Sequence, residues 1–349
     1  MKYLIAFLLV IALCPNTLWA AGEEIVFGNM TDKGPAIYKI NADGASLKEL
    51  QKGGSFPQWS PNKKLIAYLT DSDDIGILDS EGREITIAVI EKGTLGGKPI
   101  KAAIWNYVWS PDSKKIALIY PVLEYIVVQV YDIDSRRVTF STGRKAQRAD
   151  TALFSAHLQF SPDSKQLVFS MEGIGERGGL ELIDIAAKKS KVIASEGFYA
   201  KFWRENILYL TLDEKGSTFW TLKKDGTRKE KLFSTSLIVT PDSGINHDRL
   251  FLKSISKEGI FKIFLFDLLD LKLTEVSLKD LQFAQPEFSP DGNKAIVRGS
   301  PTSGENGTGY YIINLKNNEH FLLKKIREPE DRDYSWIIMF SGKRNYSWK

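Results

Sequence analysis

The sequence predicts an all-β fold built from one repeated unit, a β-propeller, and three observations support this prediction. A turn motif recurs at nearly constant spacing, because its prolines fall at positions 61, 111 and 162 and again at 241 and 290. Each copy is followed by short runs of β-branched and aromatic residues, which are typical of strands. No stretch after residue 20 keeps the 3.6-residue hydrophobic period of a helix. A four-stranded repeat of about 40–50 residues is the length of one propeller blade. We therefore expect seven four-stranded blades, with six as the alternative count.

The turn motif joins an aromatic residue to Ser-Pro and then to Asp or Asn. Its four clear copies are Trp59-Ser60-Pro61-Asn62, Trp109-Ser110-Pro111-Asp112, Phe160-Ser161-Pro162-Asp163 and Phe288-Ser289-Pro290-Asp291-Gly292. A weaker copy stands at residues 239–242, and a degenerate one at 202–205. Proline presets φ at the second turn position and serine can bond back to the chain, which predicts a type I turn. We interpret the aromatic residue as an anchor that packs between neighbouring sheets, and its alternative role is to stack on a ligand.

The two ends of the chain are predicted to share one blade. Residues 24–27, 36–40 and 47–50 have the pattern of the last three strands of a unit whose first strand is missing. Residues 336–340, followed by Ser341-Gly342-Lys343, have the pattern of that missing strand. Pairing of residues 336–340 with residues 24–27 would close the ring and remove a free sheet edge.

The first twenty residues are predicted to be a secretory signal peptide. Lys2 precedes an uncharged stretch from Tyr3 to Leu13, and small residues follow at Ala20 and Ala21. This order is typical of an export signal that is cleaved, here after Ala20. The alternative is lipid attachment at Cys14, where the preceding residues partly match a lipobox. We therefore expect a periplasmic or secreted protein with one propeller domain over residues 24–349 and no membrane span after cleavage.

Composition excludes several classes of function. The 47 Lys and Arg residues face 43 Asp and Glu residues, a net charge of +4 without a basic block, so no nucleic-acid partner is expected. Cys14 is the single cysteine, which excludes an internal disulfide framework. The acidic stretch Asp71-Ser72-Asp73-Asp74-Ile75-Gly76 lacks the ligand spacing of a calcium loop. We predict a monomer that needs no metal and no cofactor.

Catalytic motifs are missing from the sequence. The three histidines, His157, His247 and His320, lie in different units and form no metal-binding pair. No G-x-S-x-G elbow occurs, and the stretch 93–98 fails as a phosphate loop because Lys92 stands where glycine is needed. We therefore predict no catalytic residue and a protein that is not an enzyme.

A binding surface is predicted at the face opposite the Ser-Pro turns. Loops at that face lead into the inner strands and join the second strands to the third, so they surround the mouth of a central funnel. Aromatic residues and arginine are the types that anchor interfaces. The predicted binding residues are Trp105, Asn106, Tyr107, His157, Tyr199, Lys201, Tyr125 and Arg177.

The Ser-Pro-Asp repeat resembles the WD40-like, or PD40, repeat of TolB-type β-propellers. The resemblance covers nearly all of residues 24–349. It departs from TolB in lacking a preceding α/β domain and in having seven units rather than six. The resemblance implies a non-catalytic scaffold that binds an envelope protein or peptide. The alternative is a propeller enzyme, or a small-ligand or glycan binder, with its site in the central funnel.

Overall fold

Seven four-stranded antiparallel sheets follow one another along the chain, as the repeat predicts. The computed structural model describes residues 23–88, 94–95, 98–99, 103–122, 125–145, 156–173, 176–255, 261–302, 308–326 and 346–348. The predicted signal peptide and residues 336–340 lie outside the described residues. We number the sheets as blades 1 to 7, starting with the blade that holds the first described strand. The arrangement is a seven-bladed β-propeller, which confirms the predicted fold class.

Each blade consists of an inner strand, two middle strands and an outer strand, paired in chain order in blades 2 to 7. The strands of blades 1 to 3, with a small hairpin between blades 2 and 3, are β1 (Glu24–Thr31), β2 (Gly34–Asn41), β3 (Lys48–Lys52), β4 (Gly54–Trp59), β5 (Leu65–Thr70), β6 (Ile75–Asp79), β7 (Glu84–Ala88), β8 (Thr94–Leu95), β9 (Lys98–Pro99), β10 (Asn106–Trp109), β11 (Lys115–Val122), β12 (Tyr125–Asp132) and β13 (Arg137–Lys145). Those of blades 4 to 7 are β14 (Ala156–Phe160), β15 (Gln166–Gly173), β16 (Glu176–Asp184), β17 (Lys189–Ala194), β18 (Phe198–Trp203), β19 (Asn206–Asp213), β20 (Gly216–Lys223), β21 (Glu230–Thr235), β22 (Val239–Pro241), β23 (Arg249–Ile255), β24 (Phe261–Asp267), β25 (Lys272–Val276), β26 (Leu281–Phe288), β27 (Lys294–Pro301), β28 (Gly309–Asn314) and β29 (His320–Lys325). Blade 1 is completed by the last described strand, β30 (Tyr346–Trp348).

The Ser-Pro turns join the inner strand of a blade to its second strand. In blade 7, the Ser289 hydroxyl donates to Asp291 at 2.5 Å and accepts from the Lys294 amide at 3.0 Å. The Gly292 amide closes the turn on the Ser289 carbonyl at 2.9 Å, and Gly292 has a φ of 69°. Equivalent bonds hold the turns at Ser60–Asn62, Ser110–Asp112 and Ser161–Asp163. This confirms the predicted role of serine, whose hydroxyl forms hydrogen bonds with the side chain and backbone of its own turn.

The anchor aromatics pack between blades. Trp59, Trp109, Phe160 and Phe288 are each less than a tenth exposed. Trp59 packs in a cluster with Val26 of blade 1, and the other three lie in clusters that also join two neighbouring blades. The hydrophobic core is therefore a series of layers between sheets, and the predicted packing role of the anchors is confirmed.

Blade 6 departs from the predicted repeat. Residues 239–242 were expected to form a Ser-Pro type turn, but Pro241 lies inside β22 and pairs with Leu252. The hairpin turn comes later, where Asn246 and Arg249 exchange two backbone hydrogen bonds. As a result, Asp242 stands on the wall of the central channel instead of capping a turn.

The chain ends do pair, but through a different segment from the one predicted. In β30, Trp348 lies opposite Ile25 and Tyr346 opposite Phe27 of β1. The Trp348 ring is 2% exposed, and its Nε1 donates to Glu23 Oε2 at 2.9 Å. The sequence pointed to residues 336–340 because that run is longer and more hydrophobic. The closing strand instead carries the anchor aromatic of the repeat, Trp348, in its usual place at the strand end.

The ranges given above contain no helix, and so none long and apolar enough to cross a membrane.

Candidate functional site

A central channel with a volume of about 310 Å³ runs between the inner strands. All seven blades contribute to its wall, which is lined by Gln58, Trp59, Asn106, Tyr107, Val108, Trp109, His157, Leu158, Gln159, Tyr199, Lys201, Pro241, Asp242, Ser243, Gly244, Glu287 and Ser347. Volumes of about 300–1,000 Å³ are usual for small-molecule sites. The channel therefore has the size of a ligand site.

The structure brings together five of the eight predicted binding residues on this wall. They are Asn106, Tyr107, His157, Tyr199 and Lys201. Trp105 precedes β10 and packs partly buried between blades 3 and 4. Tyr125 begins β12 and is 40% exposed. Arg177 lies in β16. Partner binding by any of these residues stays a prediction.

His157 and Tyr199 are in direct contact on adjacent inner strands. Their ring centroids are 3.7 Å apart, with an angle of 45° between the ring planes. Lys201 lies two residues after Tyr199 on β18, and its side chain also lines the channel. An imidazole, a phenol and an ammonium group thus share one corner of the wall, formed by blades 4 and 5.

A β-bulge in β18 places Tyr199 in this corner. The pairing of β18 with β19 shifts between Phe198 and Lys201, and Tyr199 has a φ of 54°, which is uncommon for an aromatic residue. The Ala200 amide within the bulge donates to the Ser170 hydroxyl of blade 4 at 2.9 Å. Bulges re-aim side chains and are frequent next to functional sites.

Two other inner strands carry a bulge at the same place relative to the anchor aromatic. Phe56 in β4 and Gln285 in β26 have φ values of 53° and 56°, and each lies within a register shift. The Gln285 amide donates to Asp242 Oδ2 of blade 6 at 3.1 Å. The bulges of β18 and β26 are thus each held by a side chain of a neighbouring blade.

Tyr107 belongs to the core rather than to an exposed loop, contrary to our expectation. Its side chain is 1% exposed, and its hydroxyl contacts the carbonyl oxygens of Phe56 and Ala67. Burial raises the pKa of the Tyr107 hydroxyl well above its usual value, so this group stays protonated as a hydrogen-bond donor. Tyr107 therefore supports the bulge of β4.

Side chains of the inner strands also bridge to backbone groups of neighbouring blades. Gln159 accepts from the Phe202 amide at 2.6 Å, and Glu287 accepts from the Trp348 amide at 3.1 Å. The Ser347 hydroxyl accepts from the Trp59 amide at 3.2 Å. These bonds fix the wall of the channel and orient its polar groups.

Sequence reasoning missed most of these wall residues, although a signal for them exists. Gln58, Gln159, Lys201, Glu287 and Ser347 each stand immediately before the anchor aromatic of their blade. Alternate residues of a strand point to opposite sides. When the anchor packs against one neighbouring blade, the residue before it points toward the other neighbour, as the bonds of Gln159, Glu287 and Ser347 show, and at the inner edge of the sheet it also borders the channel. Lys201 was among the predicted binding residues, and aligning the repeats on the anchor would also have found Gln58, Gln159, Glu287 and Ser347.

No group of three or more His, Cys, Asp or Glu side chains within the described ranges could hold a metal ion. The independence from metals and cofactors stays a prediction, to be tested in solution.

Comparison with solved structures shows the fold of the chain. The β-propeller domain of the Trilobed protease from Pyrococcus furiosus is 13% identical with a TM-score of 0.61, and the match covers 89% of this chain and 97% of that one. An oligogalacturonate lyase in complex with manganese is 14% identical with a TM-score of 0.55, covering 86% and 84%. TolB from Acinetobacter baumannii is 13% identical with a TM-score of 0.51, covering 93% and 82%. No protein-family model and no curated protein matches the sequence.

These neighbours contradict the prediction that the chain is not an enzyme. They include the propeller domain of a protease and a lyase, so missing motifs do not argue against activity in this fold. The physical reason is that inner strands of different blades build the wall. His157 and Tyr199 are 42 positions apart in the chain, yet their rings touch. A site assembled in this way leaves no local sequence motif.

Proposed function

We propose that the protein is a propeller enzyme that binds a small hydrophilic ligand, about the size of a short glycan, in its central channel. The observation that carries the proposal is the contact between His157 and Tyr199, 3.7 Å between ring centroids, beside Lys201 on the same wall. Residues that carry an imidazole, a phenol and an ammonium group thus line one corner of the channel, where the His157 Nε2 is buried in the wall.

The three side chains have complementary chemistry. The histidine imidazole changes its protonation state near neutral pH and is the most common general acid or base in enzymes. The Tyr199 hydroxyl can donate to a leaving oxygen, and the Lys201 ammonium can stabilise negative charge that develops in a transition state. The remaining wall supplies side-chain amides from Gln58 and Asn106 and a hydroxyl from Ser347. These groups can bind the hydroxyls of a sugar.

The test is a binding and turnover screen with a panel of short oligosaccharides and peptides. Cleavage of a glycan by hydrolysis or by elimination creates a new reducing end, which a colorimetric assay detects. We expect wild-type turnover, and a loss of at least 100-fold in His157→Gln, since general acid–base catalysis contributes about 10²–10⁴-fold. His320→Gln is the matched control, because His320 lies on outer strand β29, with its Nε2 3.3 Å from Asp280.

Two outcomes would contradict this proposal. The first is turnover that is unchanged in His157→Gln. The second is specific binding of an envelope protein without turnover of any small substrate, which would favour the docking scaffold predicted from the sequence. Fractionation of cells that express the full chain would test the proposed periplasmic or secreted location in the same preparation.

A further inference from the structure

The channel wall is divided into a charged half and a neutral half. Its Asp, Glu, Lys and His side chains come from blades 4 to 7, namely His157, Lys201, Asp242 and Glu287. Blades 1 to 3 contribute neutral groups, among them Ser347, Gln58 and Asn106. A ligand in the channel would therefore meet ionic groups on one side and uncharged donors and acceptors on the other.

Carboxylates outnumber ammonium groups on this wall. The described lining residues include two carboxylates, Asp242 and Glu287, and one lysine, Lys201, so this part of the wall has one more carboxylate than ammonium groups. Charges in a narrow, weakly screened space act more strongly than on an open surface. This balance favours a neutral or cationic ligand and disfavours a polyanion.

Both carboxylates are held in place by backbone groups. The Gln285 amide donates to Asp242 Oδ2 at 3.1 Å, and the Trp348 amide donates to Glu287 Oε1 at 3.1 Å. Each bond engages an oxygen of a side chain that also lines the channel. Pre-organised charges of this kind bind a ligand cation without a large loss of side-chain entropy.

From this arrangement, and resting on the function proposed above, we infer that the channel selects a ligand that bears a primary ammonium group. The ammonium would lie on the carboxylate side, against Asp242 and Glu287, and hydroxyl or amide groups of the ligand would face Gln58 and Asn106. An amino sugar and a free peptide N-terminus both carry this chemistry. Oligogalacturonate, the polyanion named for one structural neighbour, does not.

The experiment compares probes of equal chain length that differ in charge. Calorimetry with the full chain would use tetramers of glucosamine, N-acetylglucosamine and galacturonate. A tripeptide amide, with its N-terminus free or acetylated, separates the two sources of ammonium. We expect the free amine in one or both series to bind at least 10-fold more tightly than its acetylated partner, and galacturonate to bind most weakly.

Variants then locate the ammonium. Asp242→Asn and Glu287→Gln keep an oxygen acceptor for the backbone amides, and we expect each to weaken amine binding by 10-fold or more. Glu275→Gln is the matched control, because Glu275 is exposed on outer strand β25, where it pairs with Lys262, and it should leave binding unchanged. Thermal melts check that each variant is folded.

The results separate this inference from the proposed function. Tighter binding of galacturonate than of glucosamine, lost in His157→Gln, would overturn the ammonium selectivity and keep the channel as the site. Amine binding that is unaffected by either carboxylate substitution would also overturn it. If no amine probe binds at millimolar concentration while another substrate is turned over, the ammonium selectivity is overturned and the proposed enzyme function is kept.

Discussion

The hydroxyl of Tyr107 in blade 3 donates to the backbone carbonyl of Ala67 in blade 2, with 3.0 Å between the oxygens. It also contacts the carbonyl oxygen of Phe56, the bulge residue of β4 with a φ of 53°. A bulge leaves backbone groups outside the regular ladder, and buried backbone groups need a partner. Tyr107 therefore links two blades through one hydroxyl.

Tyr107→Phe should lower the free energy of unfolding by about 1–3 kcal/mol, because it leaves a buried carbonyl without its donor. Urea denaturation followed by fluorescence measures this loss. Tyr125→Phe is the control, since the Tyr125 ring is 40% exposed and its replacement should change stability by less than about 0.5 kcal/mol. Equal midpoints for Tyr107→Phe and the wild type would contradict the linking role.

Tyr107 shows where sequence reasoning succeeded and where it failed. The repeat correctly predicted the blades and the packing of anchors such as Trp109, because turn chemistry and β-strand periodicity are local properties. It also placed Tyr107 correctly near the channel. Its burial could not be predicted, because that depends on the bulge at Phe56, 51 residues away in the chain.

The candidate site illustrates the same limit. His157, Tyr199 and Lys201 could be predicted as residues of the funnel, since the repeat pattern assigned them to the segments that lead into inner strands. Asp242 could not, because its copy of the motif was expected to form a turn and instead continues along the wall. Register shifts and displaced turns depend on tertiary packing, and a single sequence does not record them.

The turn carboxylates make stability depend on acid pH. Burial alone would raise the pKa of Asp291, but hydrogen bonds from Ser289 and Asn293, with the charge of Lys294, lower it to about 2. Because the pKa is below the ordinary 3.8, the carboxylate stabilises the fold fully above about pH 4. This stabilisation is lost as the pH falls toward 2.

Asp291→Ala should therefore cost about 1 kcal/mol at pH 7, a modest value for an exposed carboxylate with several hydrogen bonds. The difference from the wild type should shrink steadily below pH 4. Urea midpoints measured from pH 7 to pH 2.5 test this, with Asp270→Ala, at an exposed position, as the control. A difference that is independent of pH would show that the turn does not depend on the ionised carboxylate.

Closure of the ring depends on Trp348. Its ring is 2% exposed, its Nε1 donates to Glu23, and its carbonyl accepts from Lys63 Nζ at 2.8 Å. We expect Trp348→Ala to cost about 3–5 kcal/mol, the usual range for a buried aromatic residue. The smaller change Trp348→Phe should cost less, because an aromatic ring is kept and only the indole hydrogen bond and part of the packing are lost.

Chemical denaturation gives these costs, and light scattering follows association, since an open ring would expose the edge of β1 to other chains. A Trp348→Ala protein that unfolds at the wild-type midpoint and stays in its wild-type oligomeric state would rule out β30 as the closing strand.

Ser170 is expected to position Tyr199 without being among the residues that line the channel. Its buried hydroxyl accepts from the Ala200 amide at 2.9 Å, inside the bulge that carries Tyr199. Ser170→Ala would leave that buried amide without its partner, at a cost of about 1–3 kcal/mol. Ser217 offers a matched control at the next contact between blades, from blade 5 to blade 6. Its buried hydroxyl accepts from the Val239 amide at 2.8 Å.

Hydrogen exchange with mass spectrometry separates the loss of Tyr199 placement from general destabilisation of the fold. Ser170→Ala should speed exchange in the peptide that contains Ala200, and it should weaken binding of whichever probe the wild type binds at His157 and Tyr199. Ser217→Ala should be similarly destabilised but should speed exchange around Val239 and leave that binding unchanged, because Ser217 does not touch the bulge of β18. Equal losses of binding in both variants would mean that general destabilisation, and not the placement of Tyr199, sets the affinity.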